Sequence, residues 1–465
     1  MRSDRTQRVR DPVHGLIVFT HEGRDARRDQ TAWRLLNTPE FQRLRRIRQL
    51  GLSEITFPGA THTRFSHSIG VFHTARMLVG ILSRLIPDAE FNRDRADLAV
   101  LAALVHDLGH GPFSHTFESV QKARGSEKHH ENWTAEIICY RQGNVRPILE
   151  TFREGMAEHI AELLIAEEPR DLYHAVVSSS FDADRLDYLQ RDRLMTGTGA
   201  GAIDFDWLLD NLRIAEIRRG GDDDVDSEIV RTFCLDEKAL QPAEVFLLAR
   251  YHLFEQVYLH KTTRGMEAIL RTLLTVVANA AMNGDFARLG LNPDDPLVRF
   301  FAEEGDTVEN YLTLDDFTVW AAIERIANGE DVSARELARR LRDRRLYKAL
   351  DVNAECPALR GENPDITEER RQREILRLEN LLKSETGRTV LVDESEISIY
   401  GEIGADQAKT HKMLSIRLRD GSTREITELS PLIRTLGRKR AVFRFYFEDE
   451  AARDVARSGR ANDKT

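Results

Sequence analysis

The stretch ADLAVLAALVHDLGHGPFSH, residues 96–115, decides the fold that we predict. Residues 96–107 are rich in alanine, leucine and valine nearly all round, which indicates a buried helix. The helix would end at a His-Asp pair, and the Gly-Pro pair at 111–112 would expose the residues after it. Four groups that can bind a metal or move a proton therefore lie within ten residues: His106, Asp107, His110 and His115.

Histidines are concentrated around this stretch. Eight of the fifteen lie between His62 and His130, where an even spread would place about two. A lone buried histidine is usually a hydrogen-bonded core residue, but a cluster changes that expectation. Neutral imidazoles beside a carboxylate are suitable ligands for a catalytic divalent ion, and we expect Fe, Mn, Mg or Zn.

Two further segments complete a metal-binding pattern. Residues 64–68, RFSHS, lie about 40 positions upstream of the His-Asp pair and add His67. Residues 182–188, DADRLDY, lie about 75 positions downstream and offer three aspartates. Together the segments give the order His…His-Asp…Asp. Composition and spacing alone do not choose Asp184 over Asp182 or Asp187.

The composition is that of a globular protein with a highly charged surface. The chain has 465 residues, of which 41% are hydrophobic and 31% charged, and its formal net charge is −10. This acidic balance disfavours bulk nucleic-acid binding, although a local basic cleft would still permit it. We expect no membrane span, because no apolar run approaches the roughly 20 residues that a bilayer requires.

The N-terminus and the cysteines indicate where the protein is located. The first residues are charged and show no apolar signal-peptide region. Three widely spaced cysteines argue against a disulfide framework: Cys139, Cys234 and Cys356. We therefore expect a cytoplasmic protein.

The pattern along the chain predicts a mainly α protein in two parts. Residues 1–289 are predicted to be helical with one hairpin-like interruption, a turn at 220–224 before an apolar strand at 228–234. Residues 290–450 are predicted to be a smaller α+β part, and residues 451–465 a frayed tail. In the smaller part we expect helices over 312–350 and 366–382, then strands near 389–392, 397–400, 414–418 and 442–447.

Five segments carry a closer resemblance. They are DPVHG at 11–15, FQRLR at 41–45, QLG at 49–51, FPGA at 57–60 and the stretch 106–115. With the His…His-Asp…Asp order, they resemble the HD-domain deoxynucleoside triphosphate triphosphohydrolases, in the branch of the vertebrate SAM-and-HD-domain enzyme and its bacterial relatives. The resemblance covers roughly residues 8–265. It implies an all-helical HD catalytic core over 1–289 with no SAM domain before it.

The resemblance implies a metal site and the groups beside it. The metal ligands would be His67, His106, Asp107 and Asp184. The catalytic groups on the α-phosphate side would be His110, His115, His130 and Glu131. Glu118 takes the place of an aspartate that orients the residue matching His115.

The resemblance also implies a nucleotide pocket. The triphosphate would be bound by Arg64, Arg185 and Arg250. The deoxyribose would be surrounded by Gln49, Asp192 and Tyr188, with Leu50 and Tyr258 closing the side where a 2′-hydroxyl projects. Some members have a histidine four residues before that tyrosine, where this chain has Phe254. A triphosphate carries about four negative charges, so its site needs a metal and several arginines.

The implied activity is metal-dependent hydrolysis of dNTPs to a deoxynucleoside and inorganic triphosphate. Regulated members bind an activating nucleotide between subunits, and four residues here match that effector site: Gln42, Arg45, Arg344 and Lys348. The resemblance therefore implies a homo-oligomer, a dimer or tetramer, with a nucleotide effector. Asn37 replaces the aspartate that recognises guanine there, so we do not expect a strict guanine requirement.

Two other functions stay open from the sequence. An HD phosphodiesterase or nuclease acting on oligonucleotides would use the same metal ligands, but the tyrosines that close the sugar pocket would then have no purpose. A non-catalytic nucleotide sensor would not need all four ligand positions. The arginine-rich segment 339–345 is either a solvated helix face or a contact for nucleic acid.

Overall fold

The computed structural model describes most of the chain. The described residues are 5–166, 171–199, 203–218, 229–352, 372–373, 375–377, 391–397, 399, 413–437 and 440–458. Within these ranges the protein is mainly helical with three small β-sheets, which confirms the predicted fold class.

The helices follow one another closely along the described residues. In chain order they are α1 (Ala26–Leu36), α2 (Pro39–Arg43), α3 (Arg64–Leu85), α4 (Arg93–Val105), α5 (His115–Ala123), α6 (His130–Cys139), α7 (Val145–Phe152), α8 (Met156–Ile165), α9 (Ala183–Thr196), α10 (Phe205–Asp210), α11 (Leu240–Leu253), α12 (Lys261–Asn283), α13 (Pro296–Phe301), α14 (Val308–Leu312), α15 (Asp316–Ile326), α16 (Val332–Arg342), α17 (Ile426–Leu429), α18 (Pro431–Leu436) and α19 (Glu450–Ser458). Short 3₁₀ turns lie at Leu44–Arg46, Ser53–Ile55, His174–Val176, Glu237–Ala239 and Phe286–Leu289. A π-helical turn, Phe254–Tyr258, follows α11 directly.

The buried helix predicted from the opening stretch is α4. Every residue from Ala96 to Val105 is buried, as the continuous apolar composition predicts. The helix begins earlier than expected because Asn92 caps it, accepting a hydrogen bond from Arg95 N at 3.0 Å. His106 follows as the C-terminal cap, so the predicted ligands stand at the end of a rigid core helix.

Nine described strands form the three sheets: β1 (Gln7–Asp11), β2 (Gly15–Phe19), β3 (Leu212–Arg218), β4 (Ile229–Asp236), β5 (Lys348–Asp351), β6 (Leu391–Ile397), β7 (Ser415–Arg417), β8 (Thr423–Glu425) and β9 (Arg440–Phe447). β1 and β2 form an antiparallel hairpin. The second sheet has the order β3-β4-β7-β8, in which β4 and β7 are parallel. In the third sheet β9 lies between β5 and β6 and is antiparallel to both.

The β1–β2 hairpin corrects the sequence analysis. We expected one hairpin-like interruption in residues 1–289, but β1–β2 is present in addition to β3–β4. Neither strand alternates between apolar and polar residues, since β1 has one apolar residue, Val9, and β2 is apolar throughout after Gly15. Its turn needs a positive φ at Gly15, +70°, which glycine adopts without strain.

Packing is continuous across the predicted boundary at 289/290. Helix α12 contacts α5 on one side of the boundary and both α13 and α16 on the other. Leu235 of β4 is paired with Ile416 of β7, so strands of both predicted parts share one sheet. The division into 1–289 and 290–450 therefore does not coincide with a gap in the core of the described residues.

The C-terminal predictions have mixed outcomes. The predicted helix over 312–350 is divided into α15, α16 and the strand β5. The frayed tail is wrong for its first part, since α19 is a helix whose Ala452 and Ala456 are buried beside Phe443 and Phe445. Small apolar residues four positions apart give this helix a face to bury. The turn at 220–224, most of the helix at 366–382 and residues 459–465 lie outside the described residues.

One described helix, α12, is long and apolar enough to cross a membrane by length and composition alone. In the sequence, Arg264, Glu267 and Arg271 interrupt its apolar run. Of its apolar segment, 56% is buried inside the protein, and buried core helices pass the same test. The absence of a membrane span stays a prediction.

Candidate functional site

Three helix ends meet at the predicted metal site. His67 lies in the first turn of α3, and Asp184 lies in the first turn of α9. His106 and Asp107 directly follow α4. Because α3 packs against both α4 and α9, side chains that are distant in sequence come together at one point.

These four side chains form one polar group. His67 Nε2 lies 3.0 Å from Asp184 Oδ1 and 3.8 Å from Asp107 Oδ2, and His106 Nε2 lies 3.2 Å from Asp107 Oδ1. Both Nε2 atoms are buried and have no hydrogen-bond partner among the described residues. Ligand atoms of three of these residues, His67, His106 and Asp107, lie close enough together to hold a divalent cation.

Each imidazole is oriented through its other nitrogen. Nδ1 of His67 lies 2.7 Å from Asp187 Oδ2, and Nδ1 of His106 lies 2.9 Å from the carbonyl oxygen of Ala103. When Nδ1 donates to these acceptors, Nε2 keeps its lone pair for a metal. Burial lowers the pKa of His67, but the neighbouring carboxylates of Asp184 and Asp187 raise it to about 10. The same carboxylates would stabilise a metal cation in place of that proton.

The three aspartates of residues 182–188 have different surroundings. Asp182 caps α9 and accepts a hydrogen bond from Arg185 N at 2.9 Å. Asp187 is fully buried and is bonded to His67, His14 and Arg191. Asp184 is the one of the three whose carboxylate contacts Nε2 of His67. This geometry favours Asp184 as the ligand, and the full ligand set stays a prediction.

Arg64 connects the predicted metal site to a strained turn. Its Nη1 donates to Asp107 Oδ2 at 2.7 Å, and its Nε and Nη2 donate to Ser114 Oγ at 3.0 and 2.9 Å. Burial raises the pKa of Asp107, but the Arg64 guanidinium lowers it well below its ordinary value. Phe113 and Ser114 have φ of 52° and 47°, a left-handed conformation that is unfavourable for both residue types. Strain of this kind concentrates at functional sites.

A second histidine group lies next to the first. The rings of His110 and His130 are stacked with centroids 3.9 Å apart, and His110 Nε2 lies 3.2 Å from Asp107 Oδ1. Glu118 lies 3.3 Å from His115 Nδ1 and 3.6 Å from His130 Nδ1. Burial lowers the pKa of His130, but the nearby Glu118 carboxylate raises it above the ordinary value. Burial and the Arg64 charge hold the pKa of His110 well below the ordinary value. In the stacked pair, His110 is therefore the neutral ring, and His130 is the ring that favours its protonated form.

Two further features surround this group. Glu131 Oε1 lies 3.3 Å from His130 Nε2, on the side opposite Glu118. A small cleft opens beside the rings and is lined by His110, Glu118, His130, Trp133 and Tyr311 among others.

Two of the arginines that are predicted to bind the triphosphate have a buried N–H group without a partner among the described residues. The Nε atoms of Arg185 and Arg250 are buried and have no hydrogen-bond partner among the described residues. Arg185 donates through Nη1 to Asp182. Burial raises the pKa of Tyr188, while the nearby charges of Arg250 and Arg185 lower it, so the three predicted contacts are neighbours. Buried guanidinium groups with free N–H donors suit an anionic ligand.

The predicted sugar pocket contains a buried hydrogen-bond network. Tyr258 Oη donates to Asp192 Oδ2 at 2.7 Å, and His62 Nε2 lies 2.8 Å from Asp192 Oδ1. Tyr258 ends the π-helical turn, a rare conformation that occurs frequently at functional sites. Phe254, which begins that turn, packs edge-on against the Tyr258 ring. Leu50 is partly buried against the core.

Several residues of the site were not predicted from the sequence. His62, His14 and Arg191 were not assigned, although His62 bounds the histidine-rich span and His14 lies in the DPVHG motif. His129 was also missed; its Nδ1 lies 2.6 Å from Glu118 Oε1. The partners of His62 and His14 are more than 100 positions away in sequence and gave no signal, whereas the spacing of four residues between Asp187 and Arg191 in α9 could have indicated that ion pair.

The predicted effector residues lie in two groups. Arg45 stacks on the Phe65 ring at 3.5 Å and donates through Nε to Gln42 Oε1 at 2.8 Å. Arg344 donates to the carbonyl oxygen of Ile55 at 3.3 Å, and Lys348 lies 3.3 Å from Glu450. A site between subunits would have to bring the two groups together.

Comparison with known proteins gives consistent matches. The HD domain family model matches residues 64–191, which contain all four predicted metal ligands. The uncharacterized protein YwfO of Bacillus subtilis is 33% identical over 345 residues, covering 74% of this chain and 72% of that protein. A phosphohydrolase from Bacteroides thetaiotaomicron has a solved structure that matches with a TM-score of 0.69 at 26% identity, over 95% of this chain and 100% of that one.

A more distant relative has a named activity. The deoxynucleoside triphosphate triphosphohydrolase SAMHD1 homolog of Dictyostelium discoideum is 28% identical over 325 residues. The match covers 68% of this chain and 56% of that protein, so this chain spans little more than half of the relative's length.

Proposed function

Because this chain belongs to the HD-domain family of phosphohydrolases, we propose that it hydrolyses deoxynucleoside triphosphates to a deoxynucleoside and inorganic triphosphate, using a bound metal ion. One observation carries the proposal most directly. The unpaired Nε2 atoms of His67 and His106 lie beside the carboxylates of Asp107 and Asp184, with buried, unpaired arginine donors nearby. A metal site next to free guanidinium N–H groups suits a polyphosphate.

The metal would be held by His67, His106, Asp107 and Asp184. When bound, a divalent ion supplies Lewis-acid polarisation of a phosphoryl oxygen and lowers the pKa of water. The chain's own residues bind and orient the substrate. Arg64, Arg185 and Arg250 would neutralise the triphosphate through charge-assisted hydrogen bonds, which are strongest in a buried site.

The chemistry requires one proton transfer to the leaving group. Water adds to the α-phosphorus, the bond between that phosphorus and the 5′-oxygen breaks, and the leaving oxygen takes up a proton. We assign the proton donor to the pair His115 and His130, which share Glu118. The Glu118 carboxylate favours the protonated form of His130, as a general acid requires.

The sugar pocket supports a deoxynucleotide over an oligonucleotide. Tyr258 and Asp192 form a buried network in the pocket where the deoxyribose is expected. The named activity of the Dictyostelium relative supports the same substrate class. An effector nucleotide between subunits, bound by Gln42, Arg45, Arg344 and Lys348, is a further part of the proposal.

The proposal is tested by a substrate panel. Purified protein is freed of metal, reloaded with Mn, Fe, Mg or Zn, and incubated with each dNTP, each rNTP and a short oligonucleotide. We expect metal-dependent release of deoxynucleoside and intact triphosphate from dNTPs. Cleavage of the oligonucleotide without triphosphate release would contradict the proposal and favour a phosphodiesterase.

A further inference from the structure

Asp192 is the centre of a small buried network. It lies in α9 about two turns beyond Asp184, and only 2% of its surface is exposed. One carboxylate oxygen accepts from Tyr258 Oη at 2.7 Å, and the other lies 2.8 Å from Nε2 of His62. Because a carboxylate can only accept, His62 is the donor in this pair. His62 is itself buried, at 7% exposure.

His62 is placed by a short ribbon of paired backbone. Gln49 N donates to the carbonyl oxygen of His62 at 3.1 Å, and Arg64 N donates to that of Ile47 at 3.0 Å. Arg48 and Thr63 form an isolated antiparallel bridge between these contacts. The ribbon therefore carries Gln49, His62 and Arg64 side by side, and it leads directly into α3 with His67.

Two buried atoms on this ribbon have no partner among the described residues. They are Nδ1 of His62 and Oε1 of Gln49. With Nε2–H donating to Asp192, Nδ1 of a neutral imidazole is an acceptor. Buried polar atoms are nearly always paired, so unpaired acceptors on one ribbon indicate a place that receives a polar ligand.

We propose that His62 is a positioning residue for recognition of the sugar 3′-hydroxyl. It holds one oxygen of Asp192 while Tyr258 holds the other, so the orientation of the carboxylate is fixed from both sides. An ionised carboxylate offers about four acceptor positions, and the two bonds occupy one on each oxygen. The remaining positions accept from the 3′-hydroxyl of a bound deoxynucleotide. This inference rests on the proposed function.

Hydrolysis of a dideoxynucleotide distinguishes a loss of sugar recognition from a general loss of folding stability. It lacks the 3′-hydroxyl, so it cannot use an acceptor that His62 positions. Loss of His62 should therefore reduce hydrolysis of a dNTP much more than hydrolysis of the matching 2′,3′-dideoxynucleotide. A substitution that only loosens the fold would reduce both by the same factor.

The experiment measures kcat and KM for dATP and 2′,3′-dideoxyATP on the metal-loaded wild type, His62→Ala and His62→Gln. For His62→Ala we expect kcat/KM to fall about 10- to 100-fold with dATP, the size of a hydrogen bond to a charged group, and less than about 3-fold with the dideoxynucleotide. The glutamine amide nitrogen can replace Nε2, so His62→Gln should recover most of the loss. His174, buried elsewhere in the core, provides a control: His174→Ala should change kcat/KM for both substrates by the same factor.

The outcomes separate this inference from the function it rests on. Equal losses on both substrates, or no loss with His62→Ala, would overturn the role of His62 and leave the proposed function standing. If His62→Ala does not fold, the comparison of His62→Gln with His62→Asn, whose amide is one carbon too short, decides in the same way. A wild type that hydrolyses no dNTP overturns the proposed function, and this inference with it.

Discussion

Asp187 accepts a hydrogen bond from Nδ1 of His67 at 2.7 Å and so connects a predicted metal ligand to the N-terminal hairpin. The same carboxylate lies 2.6 Å from Nε2 of His14 and accepts from Arg191, which also bonds to Asp11. Asp11 ends β1, and His14 lies in the turn between β1 and β2. Burial raises the pKa of Asp187, but these donors lower it well below its ordinary value. Removing one partner from such a buried ionic cluster leaves an uncompensated charge and is strongly destabilising.

This cluster predicts a strict requirement for glycine at position 70. A Cβ at Gly70 of α3 would collide with the carboxylate of Asp187 and the guanidinium of Arg191. We expect Gly70→Ala to lower the free energy of unfolding by about 1–3 kcal/mol and to weaken metal binding, because His67 loses its support. Chemical denaturation and measurement of bound metal test both effects.

The same helix offers a matched control at Gly80. A Cβ there meets nothing within 4 Å. Gly80→Ala should leave metal binding unchanged and raise the free energy of unfolding by about 0.5–1 kcal/mol, since alanine is the better helix former. Two variants with equal stability and equal metal content would refute the role of the cluster.

Asp316 predicts a pH-dependent contribution to stability. It accepts hydrogen bonds from Arg48 N at 2.7 Å and Phe113 N at 2.8 Å, and burial raises its pKa to about 7. The folded protein thus binds this proton more tightly than the unfolded chain, whose carboxyl titrates near pH 4. The free energy of unfolding should therefore fall as pH rises from about 4 to 7, by up to about 4 kcal/mol relative to Asp316→Asn. Denaturation curves of the two proteins across this range measure it, and parallel pH profiles would contradict the prediction.

Tyr258 predicts how ribonucleotides are excluded. If its ring occupies the space of a 2′-hydroxyl, Tyr258→Ala should raise kcat/KM for rNTPs relative to dNTPs by about tenfold or more. Tyr258→Phe keeps the ring but loses the bond to Asp192, so it should lower dNTP turnover without admitting rNTPs. A wild type that hydrolyses ATP as readily as dATP would disprove this exclusion.

The two basic groups predict a nucleotide-dependent assembly. An anion that binds Arg45 of one subunit and Arg344 and Lys348 of another would stabilise the oligomer by linkage. Sedimentation and activity are measured with and without each nucleotide on the wild type and on Arg344→Glu/Lys348→Glu, which should lose the response. The control Arg419→Glu/Arg424→Glu makes the same change in net charge at exposed positions. If both double variants respond like the wild type, this effector site does not exist.

The sequence predicted those features that depend on local pattern. The buried helix α4 follows from a continuous apolar run, and its end near His106 follows from the change in composition there. The sequence could not distinguish the three aspartates by itself, because their roles depend on which helix face meets α3. His62 gave no signal of its own, since its partner Asp192 lies 130 positions away.

Other differences have equally physical causes. The strands β1 and β2 do not alternate between apolar and polar residues, and β7 joins β4 from far along the chain. Sequence periodicity shows which face of one helix or strand is buried, whereas these strand pairings form between segments that come together only in the folded protein.

The central claim is that water attacks the α-phosphorus of a dNTP and releases triphosphate whole. The most direct measurement is hydrolysis of dATP by the metal-loaded protein in ¹⁸O-labelled water, with the mass of each product determined. The account predicts unlabelled deoxyadenosine and inorganic triphosphate that carries one ¹⁸O atom. Label in deoxyadenosine, or release of dAMP, dADP or free phosphate as the first product, would contradict it.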